Sequence, residues 1–129
     1  MKKLGAAAPR ILVVEDEPSI GGLCQRVLTT EGFEVDIAVN GKVAKDMIEE
    51  KQYTLYLIDI KLPVMNGKEV YEWLQEKYPQ LVSRVIFTTG SILIEDVMFI
   101  ERAGRPFLPK PFSPDQLRAI VRQVARRKR

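Results

Sequence analysis

The sequence predicts an α/β domain in which helices cover both faces of a five-stranded parallel sheet. Three observations lead to this prediction. Five short apolar runs recur along the 129 residues, and most of them are rich in β-branched side chains. Each run is followed by a segment whose apolar residues have helical spacing. Polar residues stand where the runs end, and such alternation is typical of doubly wound parallel sheets.

The first three elements are a buried strand, an amphipathic helix and an edge strand. Residues 11–14 form a continuous apolar run, which predicts a strand covered on both faces. Pro18 suits the first helical position, Cys24 lies on the apolar stripe of this helix, and Gly32 ends it. Apolar residues occupy every second position from 33 to 39, which indicates a strand at the edge of the sheet.

Two further helices are predicted on either side of a third strand. Asn40 is expected to cap the second helix, whose apolar residues fall within 43–48. Residues 53–58 form the third strand, and Asp59 follows it directly. A loop that contains Pro63 and Gly67 leads into the third helix, which closes before Pro79.

The remaining elements repeat the pattern. Residues 84–88 predict the fourth strand, and a helix from about residue 93 to residue 103 ends at Gly104. Residues 107–108 form a short fifth strand, and Ser113 with Gln116 makes a capping-box start for the last helix. Because the first strand is expected to be central and the second to be an edge, the predicted strand order is 2-1-3-4-5.

The chain has no histidine and one cysteine, which excludes several kinds of site. Ser-His-Asp and Cys-His catalysis and His-ligated zinc need side chains that this sequence lacks. Any metal site must therefore use oxygen ligands, which favours Mg²⁺, Mn²⁺ or Ca²⁺. A single thiol fits a reducing compartment, and we expect a cytoplasmic protein.

Charge and hydropathy suggest the limits of the domain. Five of the 20 basic residues lie from Arg122 to the end with no acid among them, which leaves 15 basic against 17 acidic residues elsewhere. We predict a flexible tail at 1–9, one domain at 10–125 and a basic tail at 126–129. Residues 4–8 are too short for a signal peptide, and no apolar run approaches the roughly 20 residues of a membrane span. The basic tail is interpreted as a solvated end rather than a nucleic-acid contact.

The predicted sheet brings polar side chains to one edge. Glu15 and Asp16 follow the first strand, and Asp59 follows the adjacent third strand. Carboxylates at close range raise one another's pKa unless a cation neutralises them, and Mg²⁺ suits such a site. Hydroxyl and ammonium groups from the fourth and fifth strands are expected at the same edge, namely Thr88, Thr89 and Lys110.

These groups suit phosphoryl transfer, which depends on positioning and charge neutralisation. One of the carboxylates would be the nucleophile, as in proteins that form an aspartyl phosphate. The sequence has neither a GxxxxGK[ST] nor a GxGxxG motif to bind the phosphates of a nucleotide. The phosphoryl group is therefore expected to come from another molecule.

From residue 10 to residue 124 the chain resembles the receiver domains of two-component response regulators, which have a flavodoxin-like fold. The matching stretches are ILVVED (11–16), DIKLPVMNG (59–67), FTTG (87–90) and FLPKPF (107–112). The resemblance implies that Asp59 accepts a phosphoryl group from the phosphohistidine of a histidine kinase or histidine phosphotransfer protein. It implies a signalling domain rather than an enzyme, with self-catalysed phosphorylation and slow autodephosphorylation.

The resemblance also implies roles for the residues around Asp59. Asp16 would bind Mg²⁺ directly, Glu15 would act through a water molecule, and the backbone carbonyl of Lys61 would be a further ligand. Lys110 would pair with the phosphoryl oxygens. The peptide bond before Pro111 is expected to be cis, an isomer that is accessible only before proline.

Two further residues match the switch positions of the family. Thr89, rather than Thr88, matches the switch hydroxyl because the small residue Gly90 follows it. Phe107 matches the switch aromatic, and since it lacks a hydroxyl group, switching would depend on burial of the ring. The face formed by the fourth helix, fifth strand and fifth helix would bind a downstream protein or a second copy of the chain.

Two questions stay open at this stage. The side chain of Lys61 either shields the phosphoryl group from hydrolysis or is a solvated loop lysine, and Ser91 is a second position that bears on phosphoryl lifetime. The fourth helix is more apolar than one core stripe requires, so it is either a partner surface or unusually deeply packed. Its apolar residues are Ile92, Leu93, Ile94, Val97, Met98, Phe99 and Ile100.

Other functions compete with an active receiver. A pseudo-receiver of the same fold would bind partners without being phosphorylated, but Asp16, Asp59, Thr89 and Lys110 are all present. A nucleic-acid-binding protein would use the basic tail, and a flavin-binding protein would need a first loop that binds phosphate rather than an acidic one. The chain is either a stand-alone regulator or the receiver of a hybrid histidine kinase or a longer regulator.

Overall fold

In a computed structural model of the protein, residues 8–91 and 93–127 are described. Within these ranges five strands alternate with five α-helices. The strands are β1 Arg10–Val14, β2 Glu34–Ala38, β3 Leu55–Asp59, β4 Val85–Thr89 and β5 Phe107–Pro109. The helices are α1 Pro18–Thr30, α2 Gly41–Glu50, α3 Gly67–Lys77, α4 Ile94–Ala103 and α5 Pro114–Arg127, and a 3₁₀ turn occupies Pro79–Arg84. No helix in these ranges is both long enough and apolar enough to cross a membrane.

Some residues named in the sequence analysis lie outside the described ranges. They are residues 1–7 of the predicted N-terminal tail, the last two residues of the basic tail, and Ile92, one of the apolar residues assigned to the fourth helix.

The strands form one parallel sheet in the order β2-β1-β3-β4-β5, which confirms the predicted order. The register pairs Val14 with Ile58 and Asp59 with Thr88. The carboxyl ends of β1, β3 and β4 therefore meet at one edge. β2 is an edge strand and is mostly half-buried, as its alternating pattern predicts, whereas β3 and β4 are buried along their whole length.

The sheet separates two apolar layers, because successive strand residues point to opposite faces. The α1–α5 layer lies between the sheet and helices α1 and α5, and it contains the buried thiol of Cys24 as expected. The α2–α4 layer lies on the other face. It includes an edge-to-face aromatic trio of Tyr71, Phe87 and Phe99, with ring centroids 5.2–5.9 Å apart, which packs α4 against α3 and β4.

Helix starts are fixed by side chains that cap free backbone N–H groups. The Asn40 side chain accepts a hydrogen bond from the first turn of α2, and Ser113 and Gln116 exchange the two bonds of a capping box, both as predicted. A second capping box, between Asn66 and Glu69, starts α3 directly after the loop that follows Asp59. The sequence shows this motif, but the prediction did not include it.

Several strand boundaries differ from the prediction by one or two residues; β3, for example, runs over Leu55–Asp59 rather than 53–58. Val39 continues the apolar alternation of the edge strand, yet β2 ends at Ala38 and Val39 is 55% exposed, because the chain turns there toward the cap of α2. Arg84 was expected to open the fourth strand, but it ends the 3₁₀ turn. Its guanidinium donates to the carbonyl oxygen of Tyr53 at 3.2 Å and so joins the turn to the segment that precedes β3.

Gly67 places the start of α3 directly against the end of β3. Its backbone N–H donates to the carbonyl oxygen of Ile60 at 2.9 Å. A Cβ atom at this position would overlap the carbonyl group of Asp59. Only glycine allows so close an approach of two backbone segments.

Val64, in the loop between β3 and α3, has a φ of 67°, which is the one positive φ among the described non-glycine residues. Its side chain is 77% exposed, and the N–H of Met65 donates to the carbonyl oxygen of Pro63 across it at 2.7 Å. A β-branched residue is strained in this conformation. We expect Val64→Gly to raise the free energy of unfolding by about 1 kcal/mol in urea denaturation, because the strain is relieved.

Val39→Gly is the matched control, since Val39 is also exposed but lies outside the positive-φ region. It should lower stability, because glycine makes the unfolded chain more flexible. Destabilisation of equal size by both substitutions would contradict the assignment of strain to Val64.

Candidate functional site

Three carboxylates lie together at the carboxyl edge of the sheet. Glu15 follows β1 and Asp59 ends β3, and both are 3% exposed, whereas Asp16 is exposed. One carboxylate oxygen from each of the three lies within 4.8 Å of the others. The structure therefore brings the predicted acidic residues into one cluster that could hold a metal ion with oxygen ligands.

Lys110 contributes a positive charge to this cluster from the end of β5. Its Nζ atom lies 2.7 Å from Oδ2 of Asp59 and 2.9 Å from Oε1 of Glu15. Its backbone N–H donates to the carbonyl oxygen of Thr89 at 3.0 Å, and the Lys110–Pro111 peptide bond is cis, as expected. The Nζ atom of Lys110 thus lies between the two buried carboxylates.

The pKa values in the cluster show how charge is balanced there. Burial raises the pKa of Glu15 and of Asp59 above the ordinary carboxyl values, although hydrogen bonds from Lys110 act in the opposite direction. Burial alone would lower the pKa of Lys110, but its bonds to Asp59 and Glu15 raise it. The lysine is therefore charged at neutral pH, and additional positive charge beside the two acids would stabilise their ionised forms.

Backbone N–H groups orient the two buried carboxylates. The N–H of Lys61 donates to Oδ1 of Asp59 at 3.1 Å, so each oxygen of Asp59 has one donor. The N–H of Glu17 donates to Oε2 of Glu15 at 3.2 Å. The bonds from Lys61 and Lys110 therefore fix the orientation of the Asp59 carboxylate.

Both threonines at the end of β4 are buried at this edge. Thr88 pairs in register with Asp59, and its carbonyl oxygen accepts the N–H of Ile60 at 2.9 Å. The Oγ1 atom of Thr89 accepts the N–H of Ser91 at 2.9 Å. The assignment of Thr89 rather than Thr88 as the switch hydroxyl stays a prediction.

The ammonium group of Lys61 contacts Asp96 of α4, at 3.2 Å from Oδ2. The sequence left open whether this side chain shields a phosphoryl group on Asp59 or is a solvated loop lysine. Its contact with Asp96 is a third arrangement, which the sequence reasoning missed. Asp96 and Ile100 are the buried residues of α4 and stand four positions apart. An acid on the buried stripe of a helix is the sequence signal that could have revealed Asp96.

The apolar residues of α4 divide into two groups. Phe99 and Ile100 pack into the α2–α4 layer, whereas the others that the structure describes are exposed. The ring of Phe107 on β5, the strand that follows α4, is also exposed, at 37%. We call this surface the α4–β5 patch, and it consists of Leu93, Ile94, Val97, Met98 and Phe107.

Comparison with known proteins identifies the family. The model of the response regulator receiver domain matches residues 11–122. The chain belongs to this family. The chain is 34% identical over 117 residues to the response regulator ArlR of Staphylococcus epidermidis, and the match covers 91% of this chain and 52% of ArlR. It is 30% identical over 118 residues to the transcriptional regulatory protein TctD of Salmonella typhimurium, with 92% and 52% covered.

Solved structures show the same fold for this receiver domain. A CheY-like receiver domain protein from Methanospirillum hungatei superposes with a TM-score of 0.82 at 32% identity, with 95% of this chain and 98% of that chain covered. The receiver domain of a signal transduction histidine kinase from Syntrophus aciditrophicus gives a TM-score of 0.83 at 26% identity, with 92% and 91% covered. The fold is thus flavodoxin-like, as predicted. The chain spans about half the length of the curated relatives it matches.

Proposed function

We propose that this receiver domain takes a phosphoryl group onto Asp59 from the phosphohistidine of a histidine kinase or histidine phosphotransfer protein. The bond from phosphorus to the histidine nitrogen breaks, a bond to a carboxylate oxygen of Asp59 forms, and the imidazole leaves. The observation that supports this proposal is the buried Asp59 carboxylate, held by Lys110 at 2.7 Å beside two further acids.

Each surrounding group has a role in the proposed transfer. Lys110 donates to the phosphoryl oxygens, and its ammonium group already lies 2.7 Å from Oδ2 of Asp59. The hydroxyl of Thr89 turns toward the phosphoryl group, and the ring of Phe107 moves inward as it does so. This population shift would change the surface formed by α4, β5 and α5.

The acidic cluster fits Mg²⁺ as the metal. The donors are oxygens only and they lie within reach of one ion. Burial raises the pKa values of Glu15 and Asp59, so a cation beside them would stabilise their ionised forms. Asp16, Asp59 and the backbone carbonyl of Lys61 would bind the ion, with Glu15 acting through water. Bound Mg²⁺ would neutralise charge on the transferring phosphoryl group.

The proposed output is a protein contact through the α4–β5 patch. Ile94, Val97 and Met98 are exposed at the i, i+3, i+4 spacing of one helix face, and an exposed apolar face indicates an interaction surface. A downstream protein is the proposed partner, and a second copy of this chain is the alternative. The domain is proposed to extend over residues 10–125 and to act in the cytoplasm.

The test is phosphorylation by a small phosphodonor such as acetyl phosphate, followed by intact-protein mass spectrometry. The wild-type chain is expected to gain one phosphoryl group in the presence of Mg²⁺ and to lose this reaction when EDTA is added. Asp59→Asn should show no adduct, because the amide cannot act as the nucleophile. Asp115→Asn is the matched control, since that carboxylate is 90% exposed on α5, and it should react like the wild type.

Absence of any adduct in the wild-type chain would refute the proposal and favour a pseudo-receiver. An adduct of equal yield on Asp59→Asn would show that another residue is the acceptor.

A further inference from the structure

Asp96 is a buried carboxylate outside the acidic cluster. It lies in the first turn of α4 and is 1% exposed. Its Oδ2 atom accepts a hydrogen bond from the hydroxyl of Ser91 at 2.6 Å and lies 3.2 Å from Nζ of Lys61, and its Oδ1 atom lies 2.5 Å from Nζ of Lys68. Burial alone would raise the pKa of Asp96, but these partners hold it at about 2.

The two lysines on Asp96 differ in how firmly they are held. The side chain of Lys68 is 25% exposed, and its ammonium group also lies over the ring of Phe99, 5.8 Å from the centroid. The side chain of Lys61 is 55% exposed and touches Asp96 through one oxygen. Water can solvate the half-exposed ammonium group of Lys61 once it leaves, so Lys61 is the partner that can leave Asp96 most easily.

Lys61 is also the lysine attached closest to the acceptor along the chain. Its backbone N–H is bonded to Oδ1 of Asp59 at 3.1 Å, so the side chain starts beside the acceptor carboxylate. A phosphoryl group would add roughly one to two negative charges there. Because Lys110 is already shared between Asp59 and Glu15, the added charge would attract a second cation.

We propose that Asp96 competes with the phosphorylated Asp59 for the ammonium group of Lys61 and thereby shortens the lifetime of the phosphoryl group. This inference rests on the proposed function. Hydrolysis forms a bond from the water oxygen to phosphorus, breaks the bond to the Asp59 oxygen, and releases inorganic phosphate with a proton to solvent. While Asp96 holds Lys61, the path of the attacking water stays open. When Lys61 moves to the phosphoryl oxygens, it covers that path.

Asp96 is thus a positioning residue, and it gives α4 a direct connection to the acceptor. Departure of Lys61 removes one of the two cations on the buried carboxylate. The remaining contacts, from Lys68 and Ser91, then determine how the first turn of α4 is held. Phosphorylation of Asp59 would in this way change the contacts of the first turn of α4, next to Val97 of the α4–β5 patch.

The test is the decay rate of the phosphorylated chain after the small phosphodonor is removed in the presence of Mg²⁺. Asp96→Asn should slow decay by about threefold, the order of effect of one ion pair whose lysine is solvent-exposed. Glu95→Gln, which neutralises the neighbouring exposed acid of the same helix turn, should decay like the wild type. In a Lys61→Met background, Asp96→Asn should have no effect on decay, because there is no ammonium group to release.

Equal decay of Asp96→Asn and wild type would overturn the inference, as would slowing that persists in the Lys61→Met background or that Glu95→Gln reproduces. A crystal structure of the wild-type chain with Mg²⁺ and beryllofluoride, which stands in for the phosphoryl group, does not depend on the stability of any variant. Lys61 should there contact a fluoride, and Lys61 still bonded to Asp96 would overturn the inference. Failure of the wild-type chain to form any adduct would instead refute the proposed function.

Discussion

Replacing Gly67 with alanine is expected to lower the free energy of unfolding by about 3 kcal/mol, the upper range for forced overpacking. The added Cβ atom would overlap the carbonyl group of Asp59, which is backbone and cannot rotate away as a side chain could. Either α3 must move from the sheet or the end of β3 must distort. Both changes disturb Asp59, so the yield of phosphoryl adduct should fall together with stability. Urea denaturation and mass spectrometry measure the two effects.

Gly22→Ala is the matched control for this substitution. Gly22 lies inside α1, where an added Cβ would meet only the flexible end of Arg26 at an ordinary contact distance of 3.5 Å. Alanine should stabilise the helix by up to about 1 kcal/mol there. A Gly67→Ala variant as stable as Gly22→Ala would contradict the close approach of α3 to β3.

The substitution Lys110→Met is expected to lower the free energy of unfolding by about 3 kcal/mol at neutral pH without divalent cations. Methionine keeps the apolar part of the side chain but leaves Glu15 and Asp59 buried without their shared counter-charge. The variant should also lose most of the phosphoryl adduct. Lys77→Met, which removes an exposed ion pair with Glu49, should change stability by less than about 0.5 kcal/mol.

The stability of Lys110→Met should also depend on pH with a defined sign. The folded-state pKa values of Glu15 and Asp59 are raised above the ordinary values of 4.5 and 3.8, so the folded state binds protons more tightly than the unfolded state. Stability therefore falls as pH rises through those raised values. Because Lys110 lowers both pKa values, the fall should be larger in Lys110→Met than in the wild type and should extend to higher pH. Stability that rises with pH over this range would contradict the charge balance described for the cluster.

The fold could be predicted because its main determinants are local in the sequence. The continuous apolar run of β1 and the alternation of β2 distinguish a central strand from an edge strand, and this distinction sets the strand order. Once β1 and β3 are neighbours, Glu15, Asp16 and Asp59 must meet, since parallel strands end at the same edge. Lys110 joins them because β5 ends at that edge too.

The features that were missed depend on contacts between distant segments. Asp96 is an acid in the first turn of a helix, a place where a solvated carboxylate is ordinary. Its burial follows from Lys61, Ser91 and Lys68, which come from two loops and another helix. The direction of the Lys61 side chain likewise depends on a contact with a residue distant in the sequence, Asp96. The positive φ of Val64 follows from the hydrogen bond between its neighbours, not from any preference of valine.

The separation of the core into two layers has a consequence for how substitutions combine. Leu28 and Leu117 belong to the α1–α5 layer, whereas Tyr71 and Phe99 belong to the α2–α4 layer, and the backbone of the sheet stands between them. Changes to residues without shared contacts are generally additive, while changes to touching residues are coupled. Helix α4, which carries most of the α4–β5 patch, can therefore diversify, residue by residue, without constraining the sequence that packs beneath α1 and α5. A receiver with this architecture can acquire a new partner while its other layer stays as it is.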